Sequence, residues 1–128
     1  MKKRVIKKPK KKTQSQLKKE LDSVFSRWIR NRDSVNGYVT CACCRQIIPI
    51  EQSQNMHYIS RSYLVHRFNE RNCHAGCRVC NVFKNGNYPA YTIFMLDKYG
   101  EQYIRELEQT KGTICKYLDY EQLIEKYK

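Results

Sequence analysis

Two cysteine pairs, CACC at positions 41–44 and CRVC at 77–80, decide the fold that this sequence predicts. The spacing C-x-x-C lets a tight turn direct two thiolates at one zinc ion, and two such turns complete a tetrahedron. We therefore predict a structural zinc ion held by Cys41, Cys44, Cys77 and Cys80. Cys43 competes with its neighbours as a ligand, but the two-residue spacing favours the outer pair.

The remaining cysteines carry no second metal pattern. The chain has 7 cysteines, and the odd number, together with the lack of an apolar leader, argues against a secreted disulfide scaffold. Cys73 and Cys115 have no partner at metal spacing, so we expect them to act as small apolar residues. The sequence also shows no apolar run long enough to cross a membrane. A cytoplasmic protein is the expectation.

The charge of the chain predicts a polyanionic partner. Its 128 residues include 25 Lys and Arg against 12 Asp and Glu, a net charge of +13. Residues 1–12 contain many of these bases and no acid, and we expect residues 1–14 to form a disordered basic tail. Such a block releases condensed counterions when it meets phosphates, which favours nucleic acid. A membrane surface is disfavoured because the tail has little apolar anchor.

The periodicity of the rest predicts one α+β domain over 15–128. Apolar residues recur every three or four positions from Leu17 to Ile29, which is typical of an amphipathic helix over 15–32. On this helix Trp28 fits either a core position or a subunit interface. Short strands are expected at 38–40, 47–50, 57–59 and 72–76. Helices are expected after Cys80, from Asn87 to Gly100, over 101–111 and after Asp119.

The loop between the cysteine pairs contains His57 and Asn72, and Asn81 follows its last cysteine. Hydrolysis of a phosphodiester needs a base for water, a divalent cation for the phosphate charge and rigid placement of both. A histidine on a strand that faces a metal ligand on a following helix can meet these needs. A lone histidine is more often structural, but the order of residues within the cysteine frame favours the catalytic interpretation.

This order resembles the HNH nuclease motif. The resembling elements are Cys41-x-x-Cys44, His57-Tyr58-Ile59, Asn72 and Cys77-x-x-Cys80-Asn81-x-x-Lys84. More narrowly, the chain is similar to the phage NinG/Rap recombination family, through 25–33 (FSRWIRNRD), 57–61 (HYISR), 67–72 (RFNERN), His74 and Gly86-Asn87, within a region of about 17–107. The resemblance implies a small ββα-metal (HNH, or His-Me finger) motif with flanking α-helices. It also implies a structure-specific endonuclease for Holliday junctions, D-loops and related branched DNA.

The resemblance also implies residue roles. His57 would be the general base, Asn81 a ligand of a catalytic Mg²⁺ or Mn²⁺ ion, Asn72 a brace of the loop and Lys84 a phosphate contact. Many HNH proteins have an Asp before the catalytic histidine, but this chain has Met56, which cannot bind a hard cation. The candidates to complete the metal site are His74, His66, Asn69 and Glu70. His74 ranks first, with a structural role as an equal alternative.

Three arginines of the same loop, Arg61, Arg67 and Arg71, are expected to contact DNA phosphates. Tyr58 and Tyr63 are placed either to stack on unpaired bases or to fill the core. Two alternative functions remain open. Met56 favours a non-catalytic zinc-containing DNA-binding module, and the charge equally permits an RNA-binding zinc protein. Because symmetric cutting of a junction needs two active sites, a homodimer is expected.

Overall fold

The computed structural model describes residues 10–128. Of the basic tail expected over 1–14, residues 1–9 lie outside the described part of the chain. The described part is a mixed α+β structure with five α-helices and two small antiparallel sheets. None of the helices in this part is both long and apolar enough to span a membrane.

The first helix, α1, runs from Gln14 to Asp33 and confirms the amphipathic pattern. It begins with a capping box, in which the Gln16 N–H donates to Thr13 Oγ1 at 3.1 Å. The Thr13 N–H donates in turn to Gln16 Oε1 at 2.9 Å, so two free helix-end donors are satisfied. The apolar face of α1 is buried, and Trp28 packs on Tyr127 with ring centroids 5.1 Å apart. Trp28 is thus partly buried and packs against the core cluster of α1 and α5.

A three-stranded sheet follows α1, with strands β1 (Ser34–Val35), β2 (Tyr38–Thr40) and β3 (Ile47–Pro49) in that order. Asn36 and Gly37 join β1 to β2 with φ of 51° and 81°. These positive values are those of a tight hairpin turn that matches the strand twist. The connection between β2 and β3 carries the first cysteine pair. The strands predicted over 38–40 and 47–50 are confirmed.

A second, two-stranded sheet pairs β4 (Ser53–His57) with β5 (Cys73–Cys77). The strand predicted over 57–59 is wrong in position, because β4 ends at His57 instead of beginning there. The reason is Asn72, whose Oδ1 accepts from the Ile59 N–H at 2.7 Å and whose Nδ2 donates to the Ile59 carbonyl at 3.0 Å. The Tyr58 N–H still donates to the Asn72 carbonyl at 2.9 Å, and beyond it this side chain replaces the backbone ladder.

The β4–β5 sheet separates two apolar clusters. Met56 and His74 are cross-strand partners, and Met56 packs with Tyr91 in one cluster. Cys73 packs with the apolar face of α1 in the other. Because cross-strand partners share a face of the sheet, His57, the partner of Cys73, lies on the α1 side. The alternation along β4 therefore separates Met56 from His57.

The remaining helices surround these sheets. A short helix, α2 (Leu64–Arg67), lies in the connection between β4 and β5, and one π-helical turn (Val79–Phe83) follows β5 where a helix start was predicted. The three later helices agree with the predicted positions within a few residues. They are α3 (Tyr88–Tyr99), α4 (Glu101–Thr110) and α5 (Tyr120–Tyr127). Helix α5 packs against α1, which closes the second cluster.

Candidate metal site and adjacent cleft

The two cysteine pairs meet in space. The Sγ atoms of Cys41, Cys44, Cys77 and Cys80 all lie within 4.8 Å of one another. A tetrahedral site with Zn–S bonds of about 2.3 Å places its sulfurs about 3.8 Å apart. The Cys44 and Cys77 sulfurs are 3.7 Å apart, in agreement with that geometry. These four thiols can hold a structural metal such as zinc.

Hydrogen bonds from the surrounding chain support a charged cluster. The Cys77 N–H donates to Cys41 Sγ at 3.3 Å, and the Cys80 N–H donates to Cys77 Sγ at 3.4 Å. Asn87 Nδ2 donates to Cys80 Sγ at 3.4 Å. Hydrogen bonds from Cys43 and from the Cys77 backbone lower the pKa of the Cys41 thiol, whereas burial raises the pKa values of the Cys44 and Cys77 thiols. Donors of this kind stabilise thiolates and orient them for a metal. Cys43 lies beside the four-cysteine cluster without being part of it.

An open cleft of about 460 Å³ lies next to this cluster, between α1, β4 and the turn after the second cysteine pair. His57 and Asn81, the two residues predicted to face each other, both line it. The polar and charged lining of the cleft is Asp22, Ser26, Arg30, Ser53, Gln54, Asn55, His57, Ser60, Arg61, Asn81, Asn85 and Tyr88. A cleft with this lining has room for a phosphate group.

The environment of His57 defines its protonation. Its Nε2 lies 2.9 Å from the Arg67 carbonyl oxygen. Because a carbonyl only accepts hydrogen bonds, Nε2 carries the proton and the neutral ring keeps a lone pair on Nδ1. Burial lowers the pKa of His57, and the nearby charges of Arg61 and Arg67 lower it further. The imidazole is therefore neutral at neutral pH and can act as a base through Nδ1.

Two amide side chains of the cleft lining have an oxygen atom without a hydrogen-bond partner among the described residues. Asn81 Nδ2 donates to Gln54 Oε1 at 2.7 Å, which commits the nitrogen end of this amide and leaves Oδ1 for another partner. Asn55 Oδ1 is buried and has no hydrogen-bond partner among the described residues. A buried oxygen without a partner is uncommon in folded proteins. Amide oxygens of this kind suit Mg²⁺ or Mn²⁺.

Asn72 does not line the cleft but holds its wall together. The side chain is fully buried. Besides its two bonds to Ile59, Nδ2 donates to the His66 carbonyl at 3.1 Å. One amide thus joins the start of β5 to the chain after β4 and to α2, which is the bracing position expected for this residue.

His74 is not brought together with His57 and Asn81. It is buried on the opposite face of the sheet, where its two ring nitrogens meet the Tyr91 and Tyr99 hydroxyls at 3.0 and 2.8 Å. The Tyr91 hydroxyl donates its only hydrogen to the Met56 carbonyl at 2.9 Å, so it accepts from His74 Nδ1. Nε2 then accepts from Tyr99. This network leaves His74 no lone pair for a cation.

The other residues considered for the metal site also lie outside the lining of the cleft. His66 is buried, with Nε2 at 2.9 Å from Thr110 Oγ1. Asn69 Nδ2 donates to the Tyr103 hydroxyl at 3.2 Å, and Glu70 accepts from the Tyr127 hydroxyl at 2.9 Å. Each of these side chains fastens the β4–β5 connection to a C-terminal helix.

The predicted DNA-contacting residues lie in different surroundings. Arg61 is exposed at the cleft, and Lys84 is exposed on the turn beside Asn85 without lining it. Arg71 lies over the Tyr103 ring at 5.3 Å. Arg67 is largely buried, and its Nε donates to Asp22 at 2.9 Å. Only Arg61 of the three arginines therefore reaches the cleft.

The two tyrosines singled out as stacking candidates also differ. Tyr58 is buried, and its hydroxyl lies 2.9 Å from Thr92 Oγ1. Tyr63 is partly exposed, and the Lys111 ammonium lies 5.4 Å from its ring centroid. Tyr58 thus fills the core, whereas the ring of Tyr63 remains at the surface.

Sequence reasoning missed the contribution of α1 to the cleft. Asp22, Ser26 and Arg30 line it from that helix, and Asn55 lines it from β4. The three helical residues recur every four positions, which places them on one face of the helix. This polar stripe beside the apolar face of α1 could have indicated that the helix lines a polar site. On sequence alone, α1 is assigned only to the core or to a subunit interface.

The fold and the cysteine cluster define a small α+β protein with a site that can bind a metal. All of its residues, 1–128, match the model of the family described as Bacteriophage Lambda NinG protein, and the chain belongs to this family. The ninG protein of Escherichia phage lambda is 28% identical over 90 residues, which cover 70% of this chain and 43% of that protein. The ninG protein of Salmonella phage P22 is 27% identical with the same coverage.

A third relative is more similar over a shorter stretch. The ninG protein of Enterobacteria phage H19B is 40% identical over 42 residues, or 33% of this chain and 21% of that protein. The chain thus spans less than half of the length of the relatives it matches. No solved structure is significantly similar to it.

Proposed function

We propose that the chain is a metal-dependent DNA endonuclease of the HNH type that cuts branched recombination intermediates, such as Holliday junctions and D-loops, in the cytoplasm of a phage-infected host. The observation that carries this proposal is the shared cleft of His57 and Asn81. His57 uses Nε2 for the Arg67 carbonyl and keeps Nδ1, and Asn81 uses Nδ2 for Gln54 and keeps an amide oxygen of the kind that binds Mg²⁺ or Mn²⁺.

A structural zinc in the four-cysteine cluster gives this cleft its rigidity. Bound there, zinc would join the β2–β3 connection to the end of β5 and to the π-helical turn. Asn81 follows Cys80 directly, so the same ion would restrict the position of its amide. Reactions that depend on near-attack geometry gain from rigid placement of this kind.

The catalytic cation fits the oxygen atoms at hand. Asn81 Oδ1 and the unpartnered Asn55 Oδ1 would hold it, and Mg²⁺ often uses only one or two protein ligands beside water and substrate phosphates. When bound, the cation neutralises charge on the phosphate and on the leaving oxygen. Met56 contributes no ligand, because it is fully buried against the other face of the sheet.

His57 acts as the general base. Nδ1 takes a proton from a water molecule while the water oxygen bonds to phosphorus and the bond from phosphorus to the 3′ oxygen breaks in line. The leaving 3′ oxygen takes its proton from solvent. The imidazolium keeps its Nε2–H bond to the Arg67 carbonyl and afterwards releases the Nδ1 proton to solvent. Arg30 and Arg61, at the edge of the cleft, attract the flanking phosphates.

The preference for branched DNA rests on the resemblance to the phage recombination family. The charge of +13 supplies affinity for any nucleic acid but carries no specificity. Symmetric cutting of a four-way junction requires two such clefts, which a homodimer provides.

A non-catalytic DNA-binding module is the second candidate, and one observation favours it. Asp22, the one carboxylate in the lining of the cleft, is bound to both Arg67 and Arg61. The cleft therefore offers a cation only neutral oxygens, which bind Mg²⁺ less strongly than carboxylates do.

Cleavage and binding assays on the same protein separate the two candidates. We expect the chain to nick a labelled four-way junction with Mg²⁺ or Mn²⁺, and to prefer the junction to linear duplex and structured RNA. His57→Ala should bind the junction and retain zinc but not cut. His66→Gln, a histidine variant outside the cleft, should cut as the unmodified chain does. Tight binding without nicking under any divalent cation would favour the non-catalytic module.

A further inference from the structure

An ion pair links α1 to the last residue of α2. Arg67 Nε donates to Asp22 Oδ1 at 2.9 Å, and the Arg67 Nη2 donates to Asp22 Oδ2. The two parallel bonds form a bidentate pair, which fixes the guanidinium in a plane as well as in position. Arg67 Nη1 also donates to the Arg61 carbonyl at 3.1 Å. All three nitrogens of the guanidinium are therefore committed within the protein.

The burial of the pair distinguishes Arg67 from its neighbour at the cleft. The Arg67 side chain is 12% exposed, whereas that of Arg61 is 62% exposed. A phosphate can reach Arg61 without breaking a short contact, since its bond to Asp22 is 3.3 Å long. To reach Arg67, the same phosphate would have to displace Asp22. Arg67 is thus poorly suited to the DNA contact that its position in the sequence suggested.

The backbone of Arg67 has a different contact. Its carbonyl oxygen accepts the Nε2–H of His57 at 2.9 Å and also lies 3.7 Å from Cys73 Sγ. This carbonyl is the group that determines which ring nitrogen of His57 holds the proton. Side chain and carbonyl belong to one residue, so the position that Asp22 gives the guanidinium also constrains the carbonyl.

We propose that Asp22 and Arg67 are positioning residues, which orient His57 and keep Nδ1 free by holding the residue 67 carbonyl on Nε2. This inference rests on the proposed function, because orientation matters only if His57 is a base. Neither residue touches substrate in this proposal. Asp22 fixes Arg67, Arg67 fixes its own carbonyl, and the carbonyl fixes the tautomer and the ring plane.

The first measurement is the tautomer of the His57 ring, which would not change if Asp22 and Arg67 only stabilised the fold. In the unmodified chain, ¹⁵N NMR of the zinc-loaded protein should show His57 as a single tautomer protonated at Nε2. In Arg67→Met and in the nearly isosteric Asp22→Asn, the carbonyl is released, and both tautomers should appear. Arg67→Lys, which keeps the charge, should restore most of the original signal.

Kinetics provide the second readout. Single-turnover cleavage of a junction should slow by on the order of 10²-fold in Asp22→Asn and Arg67→Met, because a misdirected base forfeits part of its 10²–10⁴-fold contribution. Junction affinity should not fall in Asp22→Asn, which removes a negative charge from the cleft. Arg61→Met is the matched control: it removes the exposed arginine on the same carboxylate, so junction affinity should fall while His57 keeps a single tautomer.

The outcomes distinguish this inference from the proposed function. If Asp22→Asn and Arg67→Met keep a single Nε2–H tautomer and an unchanged cleavage rate, the positioning role is overturned although the nuclease remains. If the unmodified chain never cuts DNA but both variants lose the tautomer, the structural link is supported and the proposed function fails. Should Arg67→Met not fold, Asp22→Asn alone decides the matter, since it keeps the size of the side chain.

Discussion

The side chain of Asn81 donates a 2.7 Å hydrogen bond to Gln54 Oε1, which ties the turn after the second cysteine pair to strand β4. This contact bridges the two halves of the cleft. Because it uses the nitrogen of the Asn81 amide, the oxygen of that amide is the atom left for a cation. In the proposed site, the orientation of this amide decides whether Asn81 can act as a metal ligand.

The first prediction concerns that amide oxygen. Asn81→Ala should abolish cleavage at any practical Mg²⁺ or Mn²⁺ concentration, because it removes an oxygen ligand. Asn81→Asp should keep activity and reach half-maximal rate at a lower cation concentration, since a carboxylate binds hard cations more tightly. The measurement is the cation dependence of junction cleavage. Equal activity of the Ala variant and the unmodified chain would show that Asn81 is not a ligand.

The second prediction concerns the cysteine cluster. The purified chain should contain one zinc ion, and Cys44→Ser should lose both the ion and the fold, because structural zinc contributes on the order of 10 kcal/mol to small domains. Cys115→Ser is the matched control, since Cys115 lies outside the cluster and should leave zinc content and melting temperature unchanged. Elemental analysis and thermal unfolding measure both. A fold that survives zinc removal would contradict a structural role for the ion.

The third prediction concerns pH. Burial lowers the pKa of His74 to about 3, and burial also lowers the pKa values of His57 and His66. In the unfolded chain His74 binds a proton near pH 6.5, whereas in the folded chain it does so only near pH 3. The free energy of unfolding should therefore decrease as pH falls below 6.5, by about 1.4 kcal/mol per unit for His74 alone.

NMR checks this prediction directly. The ring resonances of His74 should not titrate between pH 7.5 and pH 5, because its nitrogens are committed to Tyr91 and Tyr99. A midpoint for His74 near 6.5 would show that the buried network does not form. Chemical denaturation at pH 7.5 and 5.5, with zinc content verified at both, measures the effect on stability.

The fourth prediction concerns the packing between β4 and β5. A Cβ atom added at Gly76 would overlap Met56 Sδ, and Met56 is fully buried, so its side chain would have to shift within the packed core. Gly76→Ala should lower the free energy of unfolding by about 1–3 kcal/mol. Gly112→Ala, where a Cβ meets nothing within 4 Å, should change it by less than about 0.5 kcal/mol. Denaturant titration of both variants compares them.

A rescue variant refines the fourth prediction. Combining Gly76→Ala with Met56→Ala should remove the clash and make the two effects non-additive, as expected for residues in contact. If the effects of the two single variants simply add, a clash between residues 76 and 56 is not the cause of the destabilisation.

Features that depend on residues close together in the sequence could be predicted from it, and contacts between distant residues could not. Helix α1 and the C-x-x-C pairs depend on spacings of a few residues, and both were predicted. The hydrogen bond between Arg67 and Asp22 joins positions 45 residues apart, and no local sequence pattern predicts it. For this reason Arg67 was expected to contact DNA phosphates, whereas the structure places it in a partly buried ion pair.

The same reasoning applies to His74 and to β4. The hydroxyl partners of His74 come from both ends of α3, so its candidacy as a ligand could be judged only once that helix was placed against the sheet. The end of β4 at His57 depends on Asn72, a residue from the far side of the connecting loop. Long-range side-chain contacts therefore account for each difference.

The most direct test of the account is the rate at which zinc-loaded protein cuts a four-way junction, compared between the unmodified chain and His57→Ala under single-turnover conditions with Mn²⁺. We expect a loss of about 10²–10⁴-fold, with junction affinity and zinc content unchanged, because only the base at Nδ1 is removed. Cleavage by His57→Ala at a rate close to that of the unmodified chain would contradict it.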